Sequence, residues 1–102
     1  MFIEVLFVPG CPNHQPAVES LRNVLRSRAI NATIQEIAVT DEVMARSLKF
    51  PGSPTVRING RDIESTTQQS YGLACRIYSG GTGVPSLEVL QNAVAGAHSE
   101  NG

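Results

Sequence analysis

The chain has 102 residues, 41% of them hydrophobic, and its eight basic and nine acidic residues leave a net charge of −1. This length predicts one domain with a single core, and the balanced charge provides neither a basic surface for nucleic acid nor a charged tail for a membrane. Residues 2–8 are too short for a signal core or a membrane span, so we expect a cytoplasmic protein. No pattern indicates the oligomeric state.

Residues 2–8 are mostly apolar without clean alternation, which predicts a central strand buried on both faces. Pro9-Gly10 ends this strand, and a helix with one apolar stripe follows. Asn13 is its predicted N-cap, because Pro16 then falls in the first turn, where proline is tolerated. Cys11 therefore lies just before the helix. The predicted stripe consists of Ala17, Val18, Leu21, Val24 and Leu25.

The next segment predicts a second strand over residues 32–39 and a second helix. Thr40 is the predicted cap of this helix, and Pro51-Gly52 is its predicted end. Asn59-Gly60 lies between two alternating runs, which is the strongest short-range signal for a β-hairpin.

The last part of the chain predicts a polar connection and a final helix. Residues 64–84 are polar and rich in glycine towards their end. Pro85 opens the helix, with Leu87, Leu90 and Val94 on its apolar stripe. We expect residues 97–102 to form a disordered tail.

The element order β-α-β-α-β-β-α, with Cys11-Pro12-Asn13-His14 after the first strand and Ser53-Pro54-Thr55 entering the hairpin, resembles the thioredoxin fold. The resemblance covers most of residues 2–64 and 85–96. It implies an α/β fold in which helices flank a central four-stranded mixed sheet, one domain over residues 1–102, and a cis-Pro54 that faces Cys11. The chain is also similar to small stand-alone bacterial thioredoxin-like and glutaredoxin-like proteins, several of which read Gly-Cys-Pro-Asn-Cys where His14 stands here.

Cys11 and His14 are the first candidate catalytic residues. A helix N-terminus favours a thiolate, and the thiolate is the nucleophilic form of cysteine. His14 either supports that thiolate, as in paired Cys–His nucleophiles, or is a surface residue of the first helical turn.

Cys75 is the third candidate, and two roles remain open for it. The loop after the hairpin should overhang the Cys11 site, which makes Cys75 a remote resolving cysteine. Its neighbours Leu73, Ala74 and Ile77 are apolar, which equally favours a buried structural cysteine.

Two further segments carry binding hypotheses. The backbone of Ser53 and Thr55 beside cis-Pro54 would offer an edge with which a substrate strand can pair, or Pro54 is an ordinary proline at the start of an edge strand. The glycine-rich residues 80–83 either hold an anion, as glutaredoxins hold a glutathione carboxylate, or form a simple turn.

Three functions follow from these residues. The first is a thiol–disulfide oxidoreductase that acts on protein or small-molecule disulfides through Cys11, without a resident cofactor and with glutathione as a candidate co-substrate. The second is a soft-metal or metalloid binder using Cys11, Cys75 and His14. The third is a thioredoxin-fold module that binds a partner protein without turnover.

Overall fold

A computed structural model describes residues 1–64, 71–78 and 81–101, the side chains as far as residue 98, and confirms the predicted α/β element order. The elements in chain order are β1 (Phe2–Phe7), α1 (His14–Ser27), β2 (Thr33–Ala38), α2 (Glu42–Ser47), β3 (Thr55–Ile58), β4 (Arg61–Asp62) and α3 (Leu87–Asn101).

The four strands form one mixed sheet in the order β2-β1-β3-β4. Strand β1 is central, as predicted: it pairs in parallel with β2 and antiparallel with β3. Strands β3 and β4 form the predicted hairpin. Asn59 and Gly60 have φ of 51° and 85°, the two positive φ angles that a type I′ turn requires and that asparagine and glycine adopt at low cost.

The sheet is covered on both faces, which gives the predicted arrangement of a mixed sheet flanked by helices. One face packs against α1 and α3, and all five residues of the predicted α1 stripe are buried. The other face packs Leu6 and Val39 against Ala45 of α2 and against Phe50. Strand β1 contributes to both clusters, because successive side chains of a strand point to opposite faces.

The last helix differs from the sequence prediction at both ends, because it begins at Leu87 and not at Pro85, and it extends beyond residue 96. Leu87 was placed on the apolar stripe, but it is 55% exposed, and among the described side chains of the helix the buried ones are Leu90, Val94 and Ala97. Ala97 packs in the main core cluster. The helix therefore continues through Asn101, past the point where a disordered tail was expected.

The bounds of α2 also differ from the prediction. Its N-cap is Asp41 and not Thr40, because the Asp41 carboxylate accepts a hydrogen bond of 2.8 Å from the Met44 N–H. The helix ends at Ser47, before the predicted stop at Pro51-Gly52. Lys49 follows with φ of 52°, a left-handed conformation that ends a helix.

Residues 71–78, which we call the covering segment, add a short parallel bridge next to β3. Cys75 bridges Ser53. The Ser53 N–H donates to the Ala74 carbonyl at 2.8 Å, and the Arg76 N–H donates to the Ser53 carbonyl at 3.0 Å. The covering segment therefore extends the sheet at the residue that precedes Pro54.

Side-chain hydrogen bonds also attach the covering segment to the rest of the protein. The Arg76 guanidinium donates to both Asp62 carboxylate oxygens, at 2.8 and 2.9 Å, and to the Glu64 carbonyl at 2.7 Å. The Tyr78 hydroxyl donates to the Pro54 carbonyl at 2.5 Å. Arg76 also lies over the Tyr78 ring, 4.4 Å from its centroid.

Among the described residues, no helix has both the length and the apolar composition that crossing a membrane requires.

We expect Gly52→Ala to destabilise the fold more than Gly60→Ala. Gly52 has φ of +144°, and a Cβ there would lie 3.0 Å from the Arg76 Cβ and 3.1 Å from its backbone. Gly60 has φ of +85° with open space around it, so the control also has a positive φ but lacks the close contact. The Gly52 variant should lose about 1–3 kcal/mol more unfolding free energy in urea titrations. Equal losses would show that the covering segment does not pack tightly on Gly52.

Candidate functional site

Two consecutive turns place Cys11 between the sheet and α1. The Cys11 N–H donates to the Val8 carbonyl at 3.0 Å, and Gly10 inside this turn has φ of 85°. Proline followed by a glycine of positive φ is typical of a type II turn, and Pro9-Gly10 fits it. The His14 N–H then donates to the Cys11 carbonyl at 3.3 Å. Both backbone polar groups of Cys11 are therefore held immediately before the helix.

Asn13 is the N-cap of α1, as predicted, but its side chain makes no capping hydrogen bond. Its amide packs instead on Gly83, where a Cβ would collide with it. The start of α1 thus contacts the connection that leads into α3. A side chain at position 83 would require the Asn13 amide to move, so glycine permits this close approach.

Cys11 and Cys75 line the same cleft. The cleft has a volume of about 220 Å³, and Ser53 lies in its wall. Both thiols are free; Cys11 is half-buried and Cys75 is exposed. The remaining lining residues are Val8, Pro9, Gly10, Pro12, Leu73 and Ala74.

The hypothesis of a buried, structural Cys75 is wrong. Cys75 is exposed, and Ile77 is 75% exposed, whereas Arg76 and Tyr78 are 5% and 1% exposed. This alternation is typical of an extended segment with one face on the protein. Because Arg76 and Tyr78 point inward, Cys75 is directed to the outer side, where it borders the cleft.

The Ser53–Pro54 peptide bond is cis, as the resemblance implied. The edge beside it, expected to be open to a substrate strand, is closed. Both backbone polar groups of Ser53 are bonded to the covering segment, and the Pro54 carbonyl accepts from Tyr78. Thr55 is fully buried, and its hydroxyl donates to the Gly52 carbonyl at 2.6 Å. The Ser53 hydroxyl also serves the structure, since it accepts from the Val8 N–H at 3.0 Å.

His14 is the first residue of α1, and its ring is held on two sides. It stacks on Phe7 with a centroid distance of 3.6 Å and an interplanar angle of 6°. Its Nε2 is hydrogen-bonded to Glu36 Oε1 at 2.6 Å. These described contacts join the helix start to β1 and β2, and none of them reaches Cys11. Any support for the thiolate would therefore act through the position of the first helical turn.

The three-ligand metal site proposed from the sequence is not formed. Cys11, Cys75 and His14 all lie in the part of the chain that the structure describes, and no group of three or more His, Cys, Asp or Glu side chains is clustered there. For the glycine-rich residues 80–83, anion binding and a simple turn were both left open, and Gly80 lies outside the described residues.

Arg76, Asp62 and Tyr78 had no role assigned from the sequence, yet they hold the cleft wall. Burial lowers the pKa of the Arg76 guanidinium, but the Asp62 hydrogen bonds and the nearby negative charges outweigh burial and raise it. Burial raises the pKa of the Tyr78 phenol well above its usual range, although the Arg76 charge lowers it. At neutral pH Tyr78 is therefore a stable hydrogen-bond donor to the Pro54 carbonyl. An ion pair across a loop follows no short-range pattern that could have revealed it.

The sequence of residues 13–80, more than half of the chain, matches the family described as a domain of unknown function, DUF2703. The chain belongs to the DUF2703 family. The matched part of this DUF2703 protein includes His14, Pro54 and Cys75, and begins two residues after Cys11. No curated protein matches the chain. The family description assigns no chemistry, so a function has to be argued from the cleft.

We expect His14→Ala to lower the unfolding free energy by about 1–2 kcal/mol, because it removes one ring stack and one hydrogen bond. His98→Ala is the matched control, since His98 is exposed and should change stability by less than about 0.5 kcal/mol. Urea unfolding followed by circular dichroism measures both variants. Equal effects would contradict the anchoring role of the His14 ring.

Proposed function

We propose that this DUF2703 protein is a thiol–disulfide oxidoreductase of the thioredoxin-like type, with Cys11 as the nucleophile and Cys75 as the resolving cysteine. The supporting observation is that two free thiols border one cleft beside cis-Pro54. The mixed sheet with helices on both faces is compatible with a thioredoxin-like arrangement. The reducing conditions of the cytoplasm would keep both thiols free between turnovers, so the proposed activity belongs there.

The proposed cycle balances two electrons. The Cys11 thiolate attacks a substrate disulfide, forming a mixed disulfide and releasing one substrate thiol, which takes up a proton. The Cys75 thiolate then attacks the Cys11 sulfur, which forms the Cys11–Cys75 disulfide and releases the second substrate thiol. The substrate is reduced by two electrons and the cysteine pair is oxidised. Two equivalents of a low-molecular-weight thiol, such as glutathione, or one dithiol reductant return the pair to the free state.

His14 enters this proposal as a positioning residue. It stands where the second cysteine of a Cys-x-x-Cys pair would be, and Cys75, which lines the same cleft, supplies the second thiol in this proposal. By fixing the first turn of α1 against Phe7 and Glu36, the ring holds the helix N-terminus next to Cys11. This role rests on the general preference of a helix N-terminus for nearby negative charge.

We expect iodoacetamide to modify Cys11 faster than Cys75 at neutral pH, although Cys75 is the more exposed thiol. If exposure alone controlled the rate, Cys75 would react first. If the helix N-terminus favours the thiolate, Cys11 should react first. Peptide mass spectrometry at short reaction times gives the order, and His14→Ala should slow the labelling of Cys11 without slowing that of Cys75. Faster modification of Cys75 in the native protein would exclude Cys11 as the nucleophile.

Mild oxidation should join Cys11 to Cys75 within one chain. The bond closes a ring of 65 residues, counting both cysteines, and chain entropy favours such a ring in the folded state by roughly 4 kcal/mol before any strain. The measurement is intact mass after a slight excess of diamide at low protein concentration, followed by digestion to find the linked peptide.

Cys75→Ser is the control for this oxidation, and it should give only intermolecular Cys11 dimers or adducts with added glutathione. If the native protein gives these same products while Cys75 stays free, the protein works through one thiol and Cys75 does not resolve.

A further inference from the structure

The backbone beside cis-Pro54 is used entirely within the chain. The Ser53 N–H and carbonyl are bonded to Ala74 and Arg76, and the Pro54 carbonyl accepts from Tyr78. Ser53 and Thr55 are 1% and 0% exposed. The covering segment occupies the position in which an added peptide strand would have to lie.

An extended peptide gains affinity at a sheet edge through main-chain hydrogen bonds. It needs a free N–H and a free carbonyl, and Ser53 offers neither. A peptide could form these bonds only after the covering segment had left, which would expose the Arg76 and Tyr78 side chains and break their hydrogen bonds.

The covering segment is fastened by more than its backbone. The Arg76 guanidinium is bonded to both oxygens of Asp62 and to the Glu64 carbonyl, and lies 3.3 Å from the Thr55 hydroxyl. Removing the partner of a buried charge is strongly unfavourable. Arg76 is also in close contact with Gly52. An incoming peptide would have to replace all of these interactions.

The space that remains between the thiols is small. The cleft that contains Cys11 and Cys75 has a volume of about 220 Å³, below the ~300–1,000 Å³ that is usual for sites that enclose a drug-sized ligand. A volume of this size is sufficient for the sulfur atoms and the adjoining carbons of a small disulfide.

We propose that Cys11 acts on low-molecular-weight disulfides and excludes cysteines within extended peptides, because the chain's own covering segment fills the peptide-binding edge. This inference rests on the proposed function, since it takes Cys11 as the nucleophile.

The test compares two disulfides that release the same coloured thiol. One is glutathione joined to thionitrobenzoate, and the other is a short unstructured peptide whose central cysteine is joined to thionitrobenzoate. The Cys75→Ser protein leaves Cys11 as its single thiol and keeps the backbone bridge. Cys11 attacks the sulfur of the glutathione or peptide, forms a mixed disulfide and releases thionitrobenzoate, so one disulfide replaces another with no net oxidation.

Each rate is divided by the rate of the same disulfide with free N-acetylcysteine, which removes intrinsic reactivity. The peptide should then react about tenfold more slowly than the glutathione disulfide, or slower still, because the covering segment occupies the edge along which the residues that flank its cysteine would have to lie. Adding Tyr78→Phe and Asp62→Asn loosens the covering segment and should reduce this difference by raising the peptide rate alone. Equal normalised rates in the Cys75→Ser protein, or an unchanged ratio in the loosened variant, would overturn the inference.

Amide hydrogen exchange of the Cys75→Ser protein keeps the inference testable if the loosened variant does not fold. The amides of Ser53 and Arg76 donate to the bridge and should exchange far more slowly than those of an open chain. Exchange at open-chain rates would show that the edge is free and would reject the inference. Failure of Cys11 to react with either disulfide is a different result, because it rejects the proposed function itself.

Discussion

The ion pair between Arg76 and Asp62 holds together one wall of the cleft in which the proposed chemistry takes place. Arg76 belongs to the covering segment and Asp62 to the short strand β4, and the guanidinium binds both carboxylate oxygens. The same guanidinium binds the Glu64 carbonyl and lies over Tyr78, whose hydroxyl binds the Pro54 carbonyl. The wall of the cleft that carries Cys75 depends on this chain of contacts. A buried guanidinium is stable only while these partners remain in place.

The other wall of the cleft is built by local geometry. A proline–glycine turn and a second turn end β1 and place Cys11 directly before α1. The ring of His14 then ties the first residue of the helix to the sheet through Phe7 and Glu36. One thiol is therefore positioned by short-range turns, and the other by side-chain contacts between distant parts of the chain. For this reason the surroundings of Cys11 could be predicted from the sequence, whereas those of Cys75 could not.

Features set by neighbouring residues were predictable from the sequence. The hairpin at Asn59-Gly60, the apolar stripe of α1 and the N-cap at Asn13 all depend on residues within one or two turns, and the structure confirms them. The surroundings of Cys75 could not be read in this way. Its apolar neighbours suggested burial, but the inward positions are taken by Arg76 and Tyr78, whose partners lie on other elements.

The end of α3 and the closed edge at Ser53 were missed for the same reason. Ala97 is buried because it packs in the main core cluster. The sequence after Gly96 contains no local pattern that predicts this contact. The edge beside cis-Pro54 is closed by residues 74–76, which lie more than twenty positions after Ser53. The loop after the hairpin was expected over the Cys11 site, but nothing in the sequence indicated that its backbone would bond to Ser53 and close the edge.

The attachment of the covering segment also sets the effective concentration of the Cys75 thiol at Cys11. Contacts that fasten Arg76 and Tyr78 keep Cys75 at the cleft, and a tethered group held in this way reacts as if it were far more concentrated than the protein itself. Coupling free energies are reciprocal. The Arg76–Asp62 ion pair would favour a Cys11–Cys75 disulfide by some free energy, and the disulfide would stabilise the ion pair by the same free energy. The oxidation state of the two cysteines and the stability of the covering segment would therefore change together.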